Sequence, residues 1–375
     1  MFLDYPNKKS MNEILNKKYN GNFKIIKGEN EKNKLFYGDN FDGLNILLHK
    51  YNLKGKIDLI YIDPPFSTNN IFKIGSRKNA ISSSNDDEIA YEDTLKDEDY
   101  LEFIRERLIL LYELLSKEGS IYFHIDYKIG HYIKILMDEI FGIENFRGDI
   151  SRIKCNPKNF RRKGYGNIKD MILFYSKSNK YTWNYPTVPF TEKDIEKLYK
   201  KVDEKGRRYT TVPIHAPGET NNGDTGKKWR GMFPPKGRHW RCSLEKLDEL
   251  DANGLIEWSK NGNPRKKNYA FEMKHKGKPM QDIWEDFKDP TKPEYPTEKN
   301  KDMLKKIIKT SSNEGDLILD CFMGSGTTII AAQELGRKWI GMDKSPKAIE
   351  VSQKRLKKVQ ENLYSSGKYE YIKIE

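Results

Sequence analysis

Cysteine is scarce in this chain: only Cys155, Cys242 and Cys321 occur, and no two of them form a C-x-x-C pair. Neither a disulfide framework nor a metal site is expected from so few thiols. Long apolar runs are missing too. No segment approaches the roughly 18 uninterrupted apolar residues of a membrane span, and the leading MFLDYPNKKSMNEILNKKYN has no apolar stretch of signal-peptide length. A cytoplasmic location without a membrane partner is the expectation. The chain also lacks G-x-x-x-x-G-K-[ST], which excludes a Walker-type phosphate loop, and it carries no helicase or nuclease motif.

Positive charge, in contrast, is plentiful. Lys and Arg number 68 against 55 Asp and Glu, a formal charge of +13 with a pI near 9.2. Clustered cations gain free energy by releasing counterions condensed on nucleic acid, so a polyanionic partner is expected. A lysine-rich genome bias would raise the same count, which leaves the decision to the motifs. With 375 residues, 36% hydrophobic and 12% aromatic, the chain can bury a sizeable core as two domains or as one with a large insertion.

Texture divides the chain into three parts. Residues 1–178 alternate strand-like and helix-like runs, the pattern of an α/β sheet. KIDLIYID is a near-continuous apolar run suited to a parallel strand buried on both faces. A polar loop is expected from Ser67 to about Lys96, followed by the amphipathic helix DYLEFIRERLILLYELLSKEG closed by Gly119. Residues 179–296 hold five of the six tryptophans with many Gly and Pro and basic clusters, which suggests a small folded module. Residues 297–375 resume the α/β pattern through the helix NKDMLKKIIKTSS, the strand DLILD, a glycine turn, the helix TIIAAQELG and the strand KWIGMD.

The glycine turn carries chemistry. A strand, then Gly324-Ser325-Gly326, then a helix beginning near Thr327 lets the backbone approach a ligand without Cβ clashes. Asp343 ends the next strand, where ribose hydroxyls would be accepted. Dinucleotide binding is the rival, but Ile329 stands where its third glycine belongs, and Asp320 at the strand tip would repel a pyrophosphate. A carboxylate there suits a cationic ligand. S-adenosylmethionine carries an α-ammonium and a sulfonium, so Asp320 on the amino-acid end and Asp343 on the ribose make chemical sense.

The second signal is Asp63-Pro64-Pro65-Phe66, closing the strand-like run. An exocyclic base amine is a poor nucleophile because its lone pair is delocalised into the ring. Hydrogen bonds from its two N–H groups to Asp63 and to the Pro64 carbonyl would pull the nitrogen toward sp³ and aim the lone pair at a methyl group. The prolines fix φ and hold the acceptors rigidly. Phe66 offers a face on which an extruded base can stack. No cysteine follows a proline, so C5-cytosine chemistry is not indicated.

With these residues in place, the chain resembles the β-class amino-methyltransferases of bacterial restriction-modification systems, including type III modification subunits. The resemblance covers most of the chain outside the middle module. The order DPPF, tryptophan-rich insert, YPTEKN, DCFMGSGTT matches that class and implies a circularly permuted Rossmann-like α/β sheet with helices on both faces, plus an inserted target-recognition module. By resemblance, Thr297, Glu298 and Lys299 cover the methionine end of the cofactor, Asp39 after Gly38 approaches its adenine, and Phe322, Ser325 and Thr327 belong to its site. Cys321 stands where proline is commoner and Glu298 where glutamine is frequent.

The resemblance further implies site-specific methylation of double-stranded DNA, with a separate restriction subunit and a homodimer as partners. Adenine N6 is favoured over cytosine N4 because the tetrapeptide begins with Asp. An RNA amino-methyltransferase is the remaining rival, since chemistry at a planar amine is the same. Candidate DNA contacts are Arg161, Arg162 and Lys163, then Lys227, Lys228, Arg230, Arg265 and Lys266, which suit phosphate and base-edge contacts.

Overall fold

The computed structural model describes residues 2–65, 70–74, 88–93, 97–157, 161, 163–220, 223–260, 262–274, 276–291, 293–296, 298–363 and 368–375. Contacts divide it into two units, residues 1–186 with 281–375, and residues 187–280.

The first unit is built on a sheet of ten described strands: β1 Phe23–Lys27, β2 Asn33–Tyr37, β3 Ile57–Ile62, β4 Leu115–Ile125, β5 Phe146–Ile153, β6 Lys169–Ser176, β7 Ile283–Trp284, β8 Leu317–Asp320, β9 Lys338–Asp343 and β10 Tyr369–Ile374. Their spatial order is β1-β10-β2-β9-β8-β3-β4-β6-β5-β7. The run from β2 through β9, β8 and β3 to β4 is parallel, whereas β6 pairs antiparallel with both β4 and β5. Helices α1 Asn40–His49, α2 Asp97–Leu114 and α3 Gly130–Phe141 pack on one another on one face. On the other face, α4 Lys301–Ser311, α5 Thr327–Glu334 and α6 Pro346–Leu363 do the same. Two-sided cover explains the continuous apolar runs: in β3 every residue but Asp58 is buried.

Circular permutation is visible in this order. Strands β2 and β3 come from the first half of the chain, β8 and β9 from the second, yet β9 and β8 lie side by side between β2 and β3. From β8 the connection through α5 runs one way to β9; from β3 the connection through α2 runs the other way to β4. Their boundary is therefore a topological switch point, where open α/β sheets bind ligands beyond the carboxyl ends of the strands.

Several local expectations change. Helix α2 ends at Leu114, and LSKEG opens β4, because Leu115 already pairs with Ile57. Gly119 therefore serves strand approach, not helix capping: a Cβ there would come within 2.7 Å of Leu115 Cδ1 and 3.0 Å of the Ile57 carbonyl. Within the segment read as a loop, Asn70–Ile74 pairs antiparallel with Glu88–Asp93. The polar composition of that segment concealed the hairpin. Strands β1, β5, β7 and β10 lie outside the sequence expectations; β1 is almost wholly exposed, and β5 interleaves Arg, Asp and Ser with its apolar residues.

The second unit has its own antiparallel sheet, Lys201–Val202, Arg208–Pro213, Pro264–Tyr269 and Ile256–Trp258 in that order. Its core gathers Ile214, Trp229, Trp240, Leu247, Leu250 and Ile256. Buried indoles find partners, as expected of a ring with one polar edge: Trp229 donates to Asp248 and Trp240 to the Lys227 carbonyl, both at 2.9 Å. Trp183 and Trp284 lie outside this unit; Trp183 stacks on Phe174 of β6.

Candidate active site

One cavity at the carboxyl ends of the parallel strands draws on both halves of the chain. Asp39 after β2, Asp63, Pro64 and Pro65 after β3, Asp320 to Ser325 at β8, Asp343 at β9, and Tyr295, Pro296, Glu298 and Lys299 before α4 all line it. The expected site residues Phe66 and Thr297 lie outside the described residues.

The β8 side is preorganised by backbone donors. Asp320 Oδ1 accepts from the Phe322 N–H at 3.0 Å and Oδ2 from the Thr328 hydroxyl at 2.6 Å. Asp343 Oδ2 accepts from the Gly324 N–H at 2.9 Å and Oδ1 from the Ser345 N–H at 2.8 Å, so it braces the glycine turn. Gly324 and Gly326 have φ of +51° and +76°, a region where side chains are strained. Burial pushes Asp320 up to about 7 and Asp343 up to about 6. Among the described residues no cation pairs with Asp320. A cationic ligand group would supply the missing charge, and that is the observation that fits a sulfonium cofactor with an α-ammonium.

Asp39 caps α1, accepting from the Phe41 N–H at 2.8 Å, and is held by Arg107 Nη2 at 3.2 Å. Arg107 also donates to Asn40, which bonds the Cys321 carbonyl at 2.8 Å, and lies 3.5 Å from the Phe103 ring centre. Phe103 meets Phe322 edge-on, making an aromatic wall of the cavity. Neither Arg107 nor Phe103 carries a local sequence signal, since both read as ordinary members of an amphipathic helix.

Glu298, expected at the methionine end of the cofactor, lines the cavity and carries an ion pair. Its Oε1 pairs with Arg355 Nη2 at 2.8 Å, and Arg355 Nη1 reaches Ser325 Oγ at 2.9 Å and Thr327 Oγ1 at 3.3 Å. Arg355, on α6, thus ties YPTEKN to the glycine turn; its charge is a reason for glutamate where glutamine is frequent. Arg355→Ala is expected to weaken cofactor binding about tenfold, the loss of one charged hydrogen-bond set, with turnover at saturating cofactor much less affected. Titration calorimetry and a KM-against-kcat comparison check it.

On the β3 side, Asp63 Oδ2 pairs with Lys299 Nζ at 2.8 Å, while Oδ1 is buried with no hydrogen-bond partner among the described residues. Lys299, expected at the cofactor, therefore sits on the carboxylate of the tetrapeptide. Burial opposes its charge, but Asp63 and Asp289 outweigh burial and hold its pKa above the usual value. The Tyr100 hydroxyl donates to the Pro65 carbonyl at 2.5 Å, which fixes the turn after β3.

A family model described as DNA methylase, spanning N6 and N4 methyltransferases, matches residues 57–354. The type II methyltransferase M.EcaI of Enterobacter cloacae is 43% identical over 361 residues, covering 94% of this chain and 77% of that protein. The chain belongs to the N6/N4 DNA methylase family. Two other relatives are the type III StyLTI Mod subunit of Salmonella typhimurium, 27% identical with 84% of this chain and 52% of that subunit covered, and M1.MboII of Moraxella bovis, 27% identical with 84% and 92% covered. The methylase thus spans about half the length of the StyLTI subunit. Its methyl donor is S-adenosylmethionine, as for the family.

The basic residues of the methylase divide by partner. Arg161 and Lys163 are exposed in the first unit; Arg162 lies outside the described residues. In the second unit Lys227 pairs with Asp224, Arg230 with Asp251, and Arg265 bonds both the hydroxyl and the carbonyl of Thr211. Lys228 is exposed, its ammonium 5.1 Å from the Phe233 ring centre, and Lys266 is half-buried. Arg265 is thus committed to its own sheet, and Lys228 is better placed to meet solvent. No described helix is long and apolar enough to cross a membrane, and no group of described His, Cys, Asp and Glu could hold a metal ion.

Proposed function

We propose that the methylase transfers a methyl group to the N6 amino group of adenine at a specific site in double-stranded DNA, after the base has been extruded from the duplex, within a restriction-modification system. One observation carries the reading: Asp63 follows β3 at the same cavity as Asp320 and Asp343, with a buried oxygen that has no hydrogen-bond partner among the described residues. In this reading Asp320 holds the α-ammonium of the donor, Asp343 faces its ribose, and Asp39 with the Phe103–Phe322 wall receives its adenine. The donor brings a methyl on a sulfonium. Asp63 Oδ1 accepts one N–H of the target amine and the Pro64 carbonyl the other, and Lys299 on Oδ2 keeps the carboxylate in place.

Adenine is preferred because the tetrapeptide opens with Asp. The second unit is the reader of sequence, with its exposed lysines as backbone contacts. The names of the type II and type III relatives support a restriction-modification role with a separate restriction subunit.

Methyl-resolved long-read sequencing of DNA from cells expressing this chain alone tests the reading. N6-methyladenine at one short motif is expected. N4-methylcytosine would overturn the choice of base, and methyl uptake by RNA but not DNA would overturn the substrate.

A further inference from the structure

Behind Asp63 runs a buried chain of charged and polar groups that the reading above does not use. His124, on β4 beside β3, is fully buried; its Nε2 lies 3.0 Å from Asp170 Oδ2 on β6. Its Nδ1 lies 2.7 Å from the Tyr61 hydroxyl and 3.9 Å from Asp63 Oδ1. Asp170 in turn pairs with Arg152 of β5 at 3.2 Å, and Arg152, itself fully buried, bonds the Phe287 carbonyl and Asp289. From one end to the other the order is Arg152, Asp170, His124, Asp63, Lys299: cation, carboxylate, imidazole, carboxylate, cation.

Such a chain is expensive to desolvate, and well-packed apolar residues stabilise a fold equally well or better. The surrounding strands offer that alternative, with Ile62, Phe123, Ile125 and Ile172 all buried nearby. A purely structural role therefore leaves its location unexplained, whereas its end on Asp63 gives it one.

We propose that His124 is a positioning residue for methyl transfer: held between Asp170 and the Tyr61 hydroxyl, its ring backs Asp63 Oδ1 and aims the carboxylate at the target amine. The proposal rests on the assignment of Asp63 to the target amine. Because Asp170 faces Nε2, the ring has its Nδ1 edge turned toward Tyr61 and Asp63. The charged and titratable groups gathered around His124 are Tyr61 of β3 and Asp63 after it, Asp170 from β6, Arg152 from β5, Asp320 from β8, and Lys299 and Asp289 from the segments before α4. Burial alone would raise Asp170, but His124 and Arg152 outweigh it and hold it far below the usual carboxylate range.

The test compares His124→Gln, Asp170→Asn and Asp63→Asn in the full chain, with DNA carrying the recognised site. For His124→Gln and Asp170→Asn, kcat is expected to fall about 10- to 100-fold, as when a partner behind a reacting group is removed, with cofactor affinity unchanged. The loss should appear in kcat and not in the KM for the cofactor, a split that a merely structural role would not produce. Wild-type kcat in Asp170→Asn, beside an inactive Asp63→Asn, would overturn the proposal alone. An active Asp63→Asn would overturn both it and the reading beneath it. If His124→Gln fails to fold, Asp170→Asn decides; a parallel loss of cofactor affinity and kcat in the folded variant would mark the chain as structural and overturn the proposal.

Discussion

Asp63→Ala should lower methyl transfer by about 10²- to 10³-fold or more, the range seen when one preorganised polar group is removed from a reacting centre, while cofactor binding changes little. The expectation follows from where the residue's interactions go. Asp63 bonds no part of the glycine turn; its contacts are Lys299 on Oδ2 and the His124 edge beside Oδ1. Removing it leaves the backbone donors on Asp320 and Asp343 intact, so calorimetry with S-adenosylmethionine should return nearly the wild-type affinity. The alanine does remove one charged partner of the buried Lys299 ammonium, so some loss of thermal stability is expected as well. Turnover close to wild type would remove Asp63 from the chemistry, whatever the affinity.

Asp320→Asn should move stability and binding in opposite directions. The asparagine can keep the bond from the Phe322 N–H and still meet the Thr328 hydroxyl, which can accept as well as donate. It removes a carboxylate whose burial raises its pKa from 3.8 to about 7. A folded-state pKa above the unfolded value means the native state binds more protons between those values. The contribution of Asp320 to stability is therefore complete below about pH 4 and is lost as pH rises to about 7. The variant escapes that loss, so its melting temperature should exceed that of the ligand-free wild type at pH 8, with the difference shrinking toward pH 4. Cofactor affinity should fall at least about 30-fold, the lower end for truncating a buried charge pair. For the wild type, affinity should rise with pH up to about 7, where Asp320 becomes ionised, and the variant should lack that rise. A parallel pH dependence in both proteins would remove Asp320 from the ammonium site.

The residues that could be read in advance share a property: each belongs to a short contiguous motif at a strand end. Asp63 with its two prolines, Asp320 with the glycine turn, and Asp343 at the next strand end have local backbone requirements that leave a pattern in neighbouring positions. Helix α4 was equally legible, since Met303, Leu304, Ile307 and Ile308 recur at helical spacing and all are buried. Boundaries were not. The junction of α2 and β4 falls inside LLSKEG, where the pairing of Leu115 with Ile57 overrides the appearance of a glycine cap.

Sequence alone determined the chemistry class, the cationic donor and the permuted order of the halves, because those depend on motifs whose geometry is set within a few residues. Only the tertiary structure decided which side chains serve those motifs. Lys299 reaches Asp63 across the cavity, Arg355 crosses from α6 to join Glu298 with Ser325, and His124 comes to Asp63 because β4 lies beside β3. A lone Arg or His in an otherwise ordinary segment has no local signature, and YPTEKN marks Lys299 without naming its partner. Its partner is set by the pairing of distant strands, and its charge acts only where burial has removed the water that would otherwise screen it.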